Sequence, residues 1–460
     1  MKILLVKPIS GMHVILPPIG LGYLASYAQK ENPNIDFRIL DCNRLRLTEN
    51  AFKQYIQEFK PDIIGFTALS MEINSCLALS LIAKQELKDT ITILGGPHAS
   101  AVPDQLLSNT CIDYIFQGEA EIGFSFFIKN FYSDEKLKSP GLGYRLGDDI
   151  VLNEPALVED LDSIPFPDYK KMQFEKYPKM YFMKYFPAAP IMSSRGCPFN
   201  CTFCAGHKVS GKKWRWRSIN NITEEIMYLE KEYGIKEIDF WDDNFTLSKN
   251  RTEEFCRFLK KSGKNLKWWC PNGIHLNTID KDLLVQMKES GCYAVAFGVE
   301  SGSDRIRLDM KKNISNIKLK EMVEFAYKIG LRTQGFFIIG YPTEDEQDIL
   351  KTIQLSKHLP FLRASFCIFQ PLVGSNIYQD LINSKTLDEK LSKQVICDYS
   401  KPSIPTKFIK DTSKIKRLQR KAILEFYLRP KIFWKLLIEN MSLSQIKELI
   451  SIIREYVVKK

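Results

Sequence analysis

The segment SRGCPFNCTFC, residues 194–204, sets three cysteines in C-x3-C-x2-C spacing directly behind an apolar run at Pro190–Ser194. That run has the length and character of a buried strand. Gly196 and Pro198 forbid a simple helix after it, so Cys197, Cys201 and Cys204 lie on one loop and can converge. Five more strand-like runs follow, at Glu237–Trp241, Lys267–Pro271, Ala294–Phe297, Thr333–Ile339 and Ala364–Phe369. Helical periodicity separates them over Ile222–Tyr233, Thr252–Lys261, Lys281–Ser290, Ile317–Ile329 and Glu344–His358. Such units predict a partial (β/α)6 TIM-like barrel over residues 190–375, with function at the carboxyl ends of its strands.

A second alternation fills residues 1–135. Strands are expected at Lys2–Val6, Phe37–Leu40, Ile63–Thr67, Thr92–Leu94 and Tyr114–Phe116, with helices Leu21–Lys30, Thr48–Phe59 and Asn74–Leu87 between them. Near-continuous apolar strands alternating with helices predict a doubly wound parallel sheet of Rossmann or flavodoxin type. Its ligand crevice is expected beyond the carboxyl ends of the strands, at Pro8 onwards, Asp41, Ala68–Met71, Gly95–Ala99 and Gln117–Glu119. Residues 136–189 break the rhythm with a hairpin signal, GYRLGDDIVLNE, and the proline pair of IPFPDY, so they are expected to link the domains and pack on both. Residues 376–460 form a basic helical tail. The fold class is α/β: a doubly wound domain, a partial barrel and a helical C-terminal region.

A chain of 460 residues with 45% hydrophobic content is globular and holds two to three domains. No uninterrupted apolar run is long enough to span a bilayer, and MKILLVKPIS reads as a buried first strand rather than a signal peptide, so a cytoplasmic location is expected. Eleven cysteines without disulfide-scaffold spacing indicate a reducing compartment. The net charge of +11 is concentrated in residues 401–460, with fifteen Lys and Arg against five Asp and Glu, so the nearly neutral body is not expected to bind nucleic acid. The tail interleaves basic and aromatic residues from Ile415, is interrupted at Pro430 and continues in a helical stretch at Ser442–Val458. This composition fits peripheral contact with anionic lipid, or helices packed on the barrel with a solvated basic face.

Three cysteines rather than four is the informative number. A 4Fe–4S cubane held by three thiolates keeps one iron open, and that iron can chelate the amino and carboxylate groups of a methionine moiety. An electron placed beside the sulfonium then cleaves its carbon–sulfur bond to a 5′-deoxyadenosyl radical. The competing assignment is a structural zinc loop with His207 as fourth ligand.

These residues closely resemble the radical S-adenosylmethionine (SAM) superfamily. The resemblance implies that Phe203 packs near the adenine and that Asp242 or Asp243, in DFWDDNF, meets the SAM amino group. In AFGVESGSD it assigns Glu300 and Ser301 to SAM polar groups, and in GFFIIGYPTE it sets Ile339 and Gly340 against the adenine. The segment PNGIHLN departs from the pattern, with His275 where related sequences often carry Arg; Arg195, Arg215 and Arg217 are candidates to meet the SAM carboxylate instead. Tyr341, Trp241 and Phe369 are candidates for the substrate pocket.

The stretches PPIGLGYLASY, PDIIGFTALS, ILGGPHASAVPD and DYIFQGEAE resemble the cobalamin-binding domain that precedes the barrel in one large subclass, which includes hopanoid methylases and the anaerobic magnesium-protoporphyrin ester cyclase. Cobalamin is then expected against Thr67, Ser70, Gly95, Gly96, Pro97, His98, Gly118 and Glu119, with Leu16–Leu21 as an apolar wall. Neither His13 nor His98 has the mutase Asp-x-His-x-x-Gly context, so no histidine from that motif is expected on cobalt. The resemblance implies a cobalamin-dependent methyltransferase acting on an unactivated carbon of a small or lipid-like substrate, reduced by a flavodoxin or ferredoxin. A cyclase without methyl transfer is the alternative. A methylthiotransferase, with Cys42, Cys76 and Cys111 holding a second cluster, and a non-catalytic cobalamin sensor fit less well.

Overall fold

The computed structural model describes residues 1–10, 14–180, 182–387 and 398–438; His13, Cys397 and the helix expected at Ser442–Val458 lie outside the described residues. The first sheet contains β1 (Lys2–Lys7), β2 (Asp36–Asp41), β3 (Ile63–Thr67), β4 (Ile91–Gly95), β5 (Tyr114–Phe116), β6 (Leu142–Leu146) and β7 (Asp149–Leu152), in the order β2-β1-β3-β4-β5-β6-β7. The first five strands run parallel. Successive residues of a strand face opposite sides, so Leu4, Val6, Ile64, Phe66 and Leu94 bury into one layer while Ile3, Leu5, Ile63 and Ile93 bury into the other. The strand order reverses between β1 and β3, which puts the crevice at the carboxyl ends of those strands.

The hairpin expected inside the linking segment is β6–β7, and it extends the first sheet: β5 pairs antiparallel with β6, and β6 with β7. The first domain therefore continues past residue 135, because Gly143 leaves Ile115 room to pack across the pair. Residues 153–187 do bridge the domains. Tyr169 and Phe174 enter the barrel core, while the Tyr177 hydroxyl donates to Asp41 at 2.7 Å and Asp168 N–H to the Gly22 carbonyl at 3.1 Å.

The second sheet is the partial barrel, β8 (Ala188–Ile191), β11 (Glu237–Phe240), β12 (Lys267–Ile274), β13 (Cys292–Glu300), β14 (Arg332–Ile339) and β15 (Arg363–Ile368), neighbours in that order and all parallel. Between β8 and β11 a two-residue antiparallel ribbon joins β9 (Ser194–Arg195) to β10 (Arg215–Trp216). The helix Thr412–Tyr427 at the start of the tail buries Ile415, Leu418, Ala422 and Phe426 in the barrel core, the helical spacing of one apolar face. Pro430 begins the next helix, Pro430–Ile438, where its missing N–H costs nothing. Among the described residues no helix is long and apolar enough to cross a membrane.

Candidate functional site

The cysteine loop leaves the ribbon through Gly196, whose φ of +85° is left-handed and whose Cα faces the Lys213 carbonyl too closely for any Cβ. Backbone bonds then fix the turn. Cys197 N–H reaches the Gly211 carbonyl at 3.4 Å, Cys204 N–H the Cys201 carbonyl at 3.2 Å, and Gly206 N–H the Cys204 sulfur at 3.4 Å. Between them Thr202 is anchored to the barrel by the Met310 carbonyl and the Tyr341 hydroxyl. Burial pushes the Cys197 thiol up to about 11 and raises Cys201 and Cys204, with Lys312 opposing the rise at the latter two. The thiolate state here needs a cation, which bound iron supplies.

All three cysteines line one cavity of ≈ 180 Å³ at the carboxyl ends of the barrel strands. Phe203, Asp243 and Glu300 line it as well. Asp242 does not: its carboxylate accepts from Ser193 N–H at 2.7 Å and from the hydroxyls of Ser193 and Ser194, so it braces the end of β8. Of the acidic pair, Asp243 faces the cavity, its carboxyl raised by burial and by Asp242. Ser301 is fully buried against Thr352 and Glu344, and Ile339 is packed in the barrel core. Gly340 donates its N–H to Glu344 at 2.7 Å. None of the three is among the lining residues.

His275 does line the cavity, stacked on Phe199 with centroids 3.9 Å apart. Burial, helped by Lys312, pushes its imidazole down to about 4, so it is neutral near pH 7 and supplies no cation. Nor do the three arginines proposed in its place. Arg195 and Arg215 are buried against Glu119 and Glu121, and Arg217 against Glu225. None of the three lines the cavity. Two lysines line the cavity, Lys212 and Lys312, neither singled out from the sequence; Lys312 is the buried one. Its ammonium lies 2.5 Å from Glu300 Oε1, both side chains about nine-tenths buried. Glu300 takes a left-handed φ of +63° to reach it, and a Cβ on Gly298 would occupy the same space. Asn244 was also missed. It lines the cavity, is 2% exposed, and its Nδ2 donor has no partner.

This donor set fits the cluster and its ligand. Among the described residues no three His, Cys, Asp or Glu side chains converge closely enough to hold a single metal ion, as structural zinc would require. Three thiols around an open cavity suit the wider cubane, with Lys312 and the unpaired Asn244 donor facing space an anionic group can fill.

In the first domain, Ser70 Oγ lies 3.0 Å from His98 Nδ1, and His98 N–H reaches the Ala68 carbonyl at 3.1 Å. Burial pushes His98 down to about 4, so it stands neutral. Thr67 abuts Gly96, the helix Pro97–Ala101 follows, and Gly118 N–H donates to Ser100 Oγ at 2.9 Å. The buried carboxylates of these loops are already used, Asp41 by Arg44 N–H and the Tyr177 hydroxyl, Glu72 by Leu69 N–H. Uncharged donors suit a large ligand rich in amides and hydroxyls, as cobalamin is. The expected apolar wall is spent otherwise: Ile19 and Leu21 are core residues, and Leu16 packs on Met180 and Met183. Tyr341 and Phe369 pack together in a satellite core, and Trp241 packs with Tyr23. Cys42 and Cys76 are fully buried, and burial raises the thiols of both and of Cys111.

A parallel partial barrel with a three-cysteine loop after its first strand, joined to a doubly wound domain, is the architecture of an iron–sulfur enzyme with a second cofactor domain. The model of the Radical SAM superfamily matches residues 191–356, and that of the B12 binding domain matches residues 12–126. An uncharacterised methyltransferase of Pyrococcus horikoshii is 35% identical, covering 96% of this chain and 95% of its own. The cytidylyl-2-hydroxyethylphosphonate methyltransferase of Streptomyces wedmorensis is 28% identical, covering 82% and 79%. The solved structure of the radical SAM methyltransferase TsrM from Kitasatospora setae shares the fold with a TM-score of 0.68 at 17% identity, over 82% of this chain and 75% of that one. The chain belongs to the cobalamin-dependent radical SAM methyltransferase family, whose cofactors are a 4Fe–4S cluster, SAM and cobalamin.

Proposed function

We propose that this enzyme methylates an unactivated carbon of a small-molecule substrate. The observation that carries this is the three-cysteine cavity, whose trailing helix, His207–Ser210, packs on Pro97–Ala101 of the first domain, beside the crevice expected to take cobalamin. When bound, the cluster and SAM supply a hydrogen-abstracting radical, and cobalamin supplies the methyl group. The chain's own residues bind and orient. Cys197, Cys201 and Cys204 hold three irons. Lys312 and Asn244 hold the SAM carboxylate, and Asp243 accepts from its amino group. Glu300 keeps the Lys312 ammonium in place, and Phe203 covers the adenine. Thr67, Ser70, His98 and the backbone at Gly95, Gly96 and Pro97 hold the cobalamin.

One electron from a flavodoxin- or ferredoxin-type donor is required for each SAM cleaved. Exposed Leu428 and Trp434 beside Lys431 give the tail a surface suited to anionic lipid, checked by co-sedimentation with phosphatidylserine vesicles. The deciding experiment is anaerobic reconstitution with cluster, cobalamin and methyl-labelled SAM under a chemical reductant. The expected result is 5′-deoxyadenosine together with label on the corrin. Cleavage of SAM without label ever reaching the corrin would refute methyl transfer.

A further inference from the structure

The buried charges between the domains gather around the neck of the cysteine loop. Glu119 and Glu121 follow β5 of the first domain. Glu119 accepts a two-pronged grip from Arg215, at 2.8 and 2.6 Å, and its Oε2 also lies 3.3 Å from Arg195 Nη1. Arg195 Nη2 donates to Glu121 at 2.7 Å. All four side chains are buried, and Arg195 and Arg215 stand opposite each other across the β9–β10 ribbon. That ribbon closes the loop that carries Cys197, Cys201 and Cys204. Arg215 donates further to the carbonyls of Val158, at 2.7 Å, and Ser210, at 3.0 Å. One guanidinium therefore ties the first domain, the linking segment and the cysteine loop together.

Such forked pairs fix position as well as charge, since a planar guanidinium meets a carboxylate in one orientation. With both oxygens of Glu119 spent on two arginines, that carboxylate is poorly placed to serve a cofactor in the first domain. We propose that Glu119 and Glu121 are positioning residues for the cluster: through Arg195 and Arg215 they set the neck of the cysteine loop and couple the metal site to the first domain. The same loop runs from Gly118, whose backbone abuts the Val209 carbonyl, into the cobalamin crevice. This rests on the reading of the three-cysteine loop as the cluster site.

The test uses full-length, anaerobically reconstituted enzyme, comparing wild type with Glu119→Gln and Arg195→Lys. Electron paramagnetic resonance of the reduced cluster with and without SAM gives the SAM Kd, and visible absorbance gives the cobalamin Kd. At wild-type iron content, E119Q is expected to weaken SAM binding about tenfold, a typical coupling magnitude, and to blunt the SAM-induced spectral change, with cobalamin affinity within about twofold of wild type. R195K keeps the charge but loses the planar guanidinium that reaches Glu119 and Glu121 at once, and is expected to move SAM affinity in the same direction by less. If E119Q does not fold, R195K decides. Wild-type spectra and SAM affinity in the folded variants would overturn the proposal. So would a large loss of cobalamin affinity in E119Q with unchanged cluster signals, since Glu119 would then be a cofactor ligand. A wild-type cluster that ignores SAM would instead sink the reading of the loop itself.

Discussion

Lys312 and Glu300 bury opposite charges in contact, an arrangement that adds little net stability but is costly to break on one side. Lys312→Met should therefore destabilise the protein by about 3–5 kcal/mol, because Glu300 is left buried and alone. The double variant E300Q/K312M should recover most of that loss in denaturant melts. Equal melts for the single and double variants would show that the pair is not energetically closed. Glu344 makes a different prediction. It is fully buried, and burial raises its carboxyl to about 8 against an ordinary 4.5, so the native protein keeps a proton that the unfolded chain releases. Its contribution thus favours the fold below about 4.5 and is lost as pH rises toward about 8, at no more than about 1.4 kcal/mol per pH unit. Glu344→Gln keeps an acceptor for the Gly340 and Tyr341 amides. It should flatten that slope, and melts at pH 5, 7 and 9 that track wild type would count against it. Of these residues only Glu300 was given a role from the sequence, through its motif; Glu344 lay within GFFIIGYPTE without one. Lys312 sits on a turn after a short helix and reads as any surface lysine until the fold folds it inward. Arg195 and Arg215 misled for the same reason: their carboxylates lie 74 and 96 positions away.

The cysteine loop, as an element, depends on the left-handed turn at its neck. Gly196→Ala should cost about 1–2 kcal/mol in backbone strain alone, besides the collision with the Lys213 carbonyl. Iron bound per chain after reconstitution should fall while the far-ultraviolet dichroism stays that of wild type; full iron content in the variant would show the neck to be pliable. The strands were legible because buried parallel strands are continuous apolar runs, and each expected run overlaps a strand of the two sheets, those at Pro190–Ser194, Glu237–Trp241 and Ala364–Phe369 running past the strand's end. The hairpin was legible too, from Gly147 and its flanks, but its partner was not. The pairing of β6 with β5 is set by packing between residues distant in sequence, such as Gly143 beneath Ile115, which local pattern does not encode. The tail helix at Thr412–Tyr427 hid its role similarly: its basic face dominates the composition, while Ile415, Leu418, Ala422 and Phe426 carry it into the barrel core.

On the scale of the whole molecule, two sheets with separate cores would by default unfold as separate units. Several contacts oppose that here. Ile19 and Tyr23 of the first domain share an apolar cluster with Val158, Leu161 and Ile164 of the linking segment, and Met192 and Trp241 of the barrel pack against it. Met172 fills the space left by Gly22, and Tyr177 is bonded to Asp41 while its neighbour Phe174 lies in the barrel core. The ion pairs at the cysteine neck contribute specificity more than energy, because parted charges regain water. The apolar strap is what binds the domains, so the protein should unfold in a single calorimetric transition whose midpoint is insensitive to salt. Tyr177→Phe removes a hydroxyl donated to a buried carboxylate and should lower stability by about 1.5–3 kcal/mol while keeping one transition. Two resolved transitions in the wild-type protein would show that the strap does not couple the domains, and a midpoint that falls steeply between low and high salt would show that charge joins them instead.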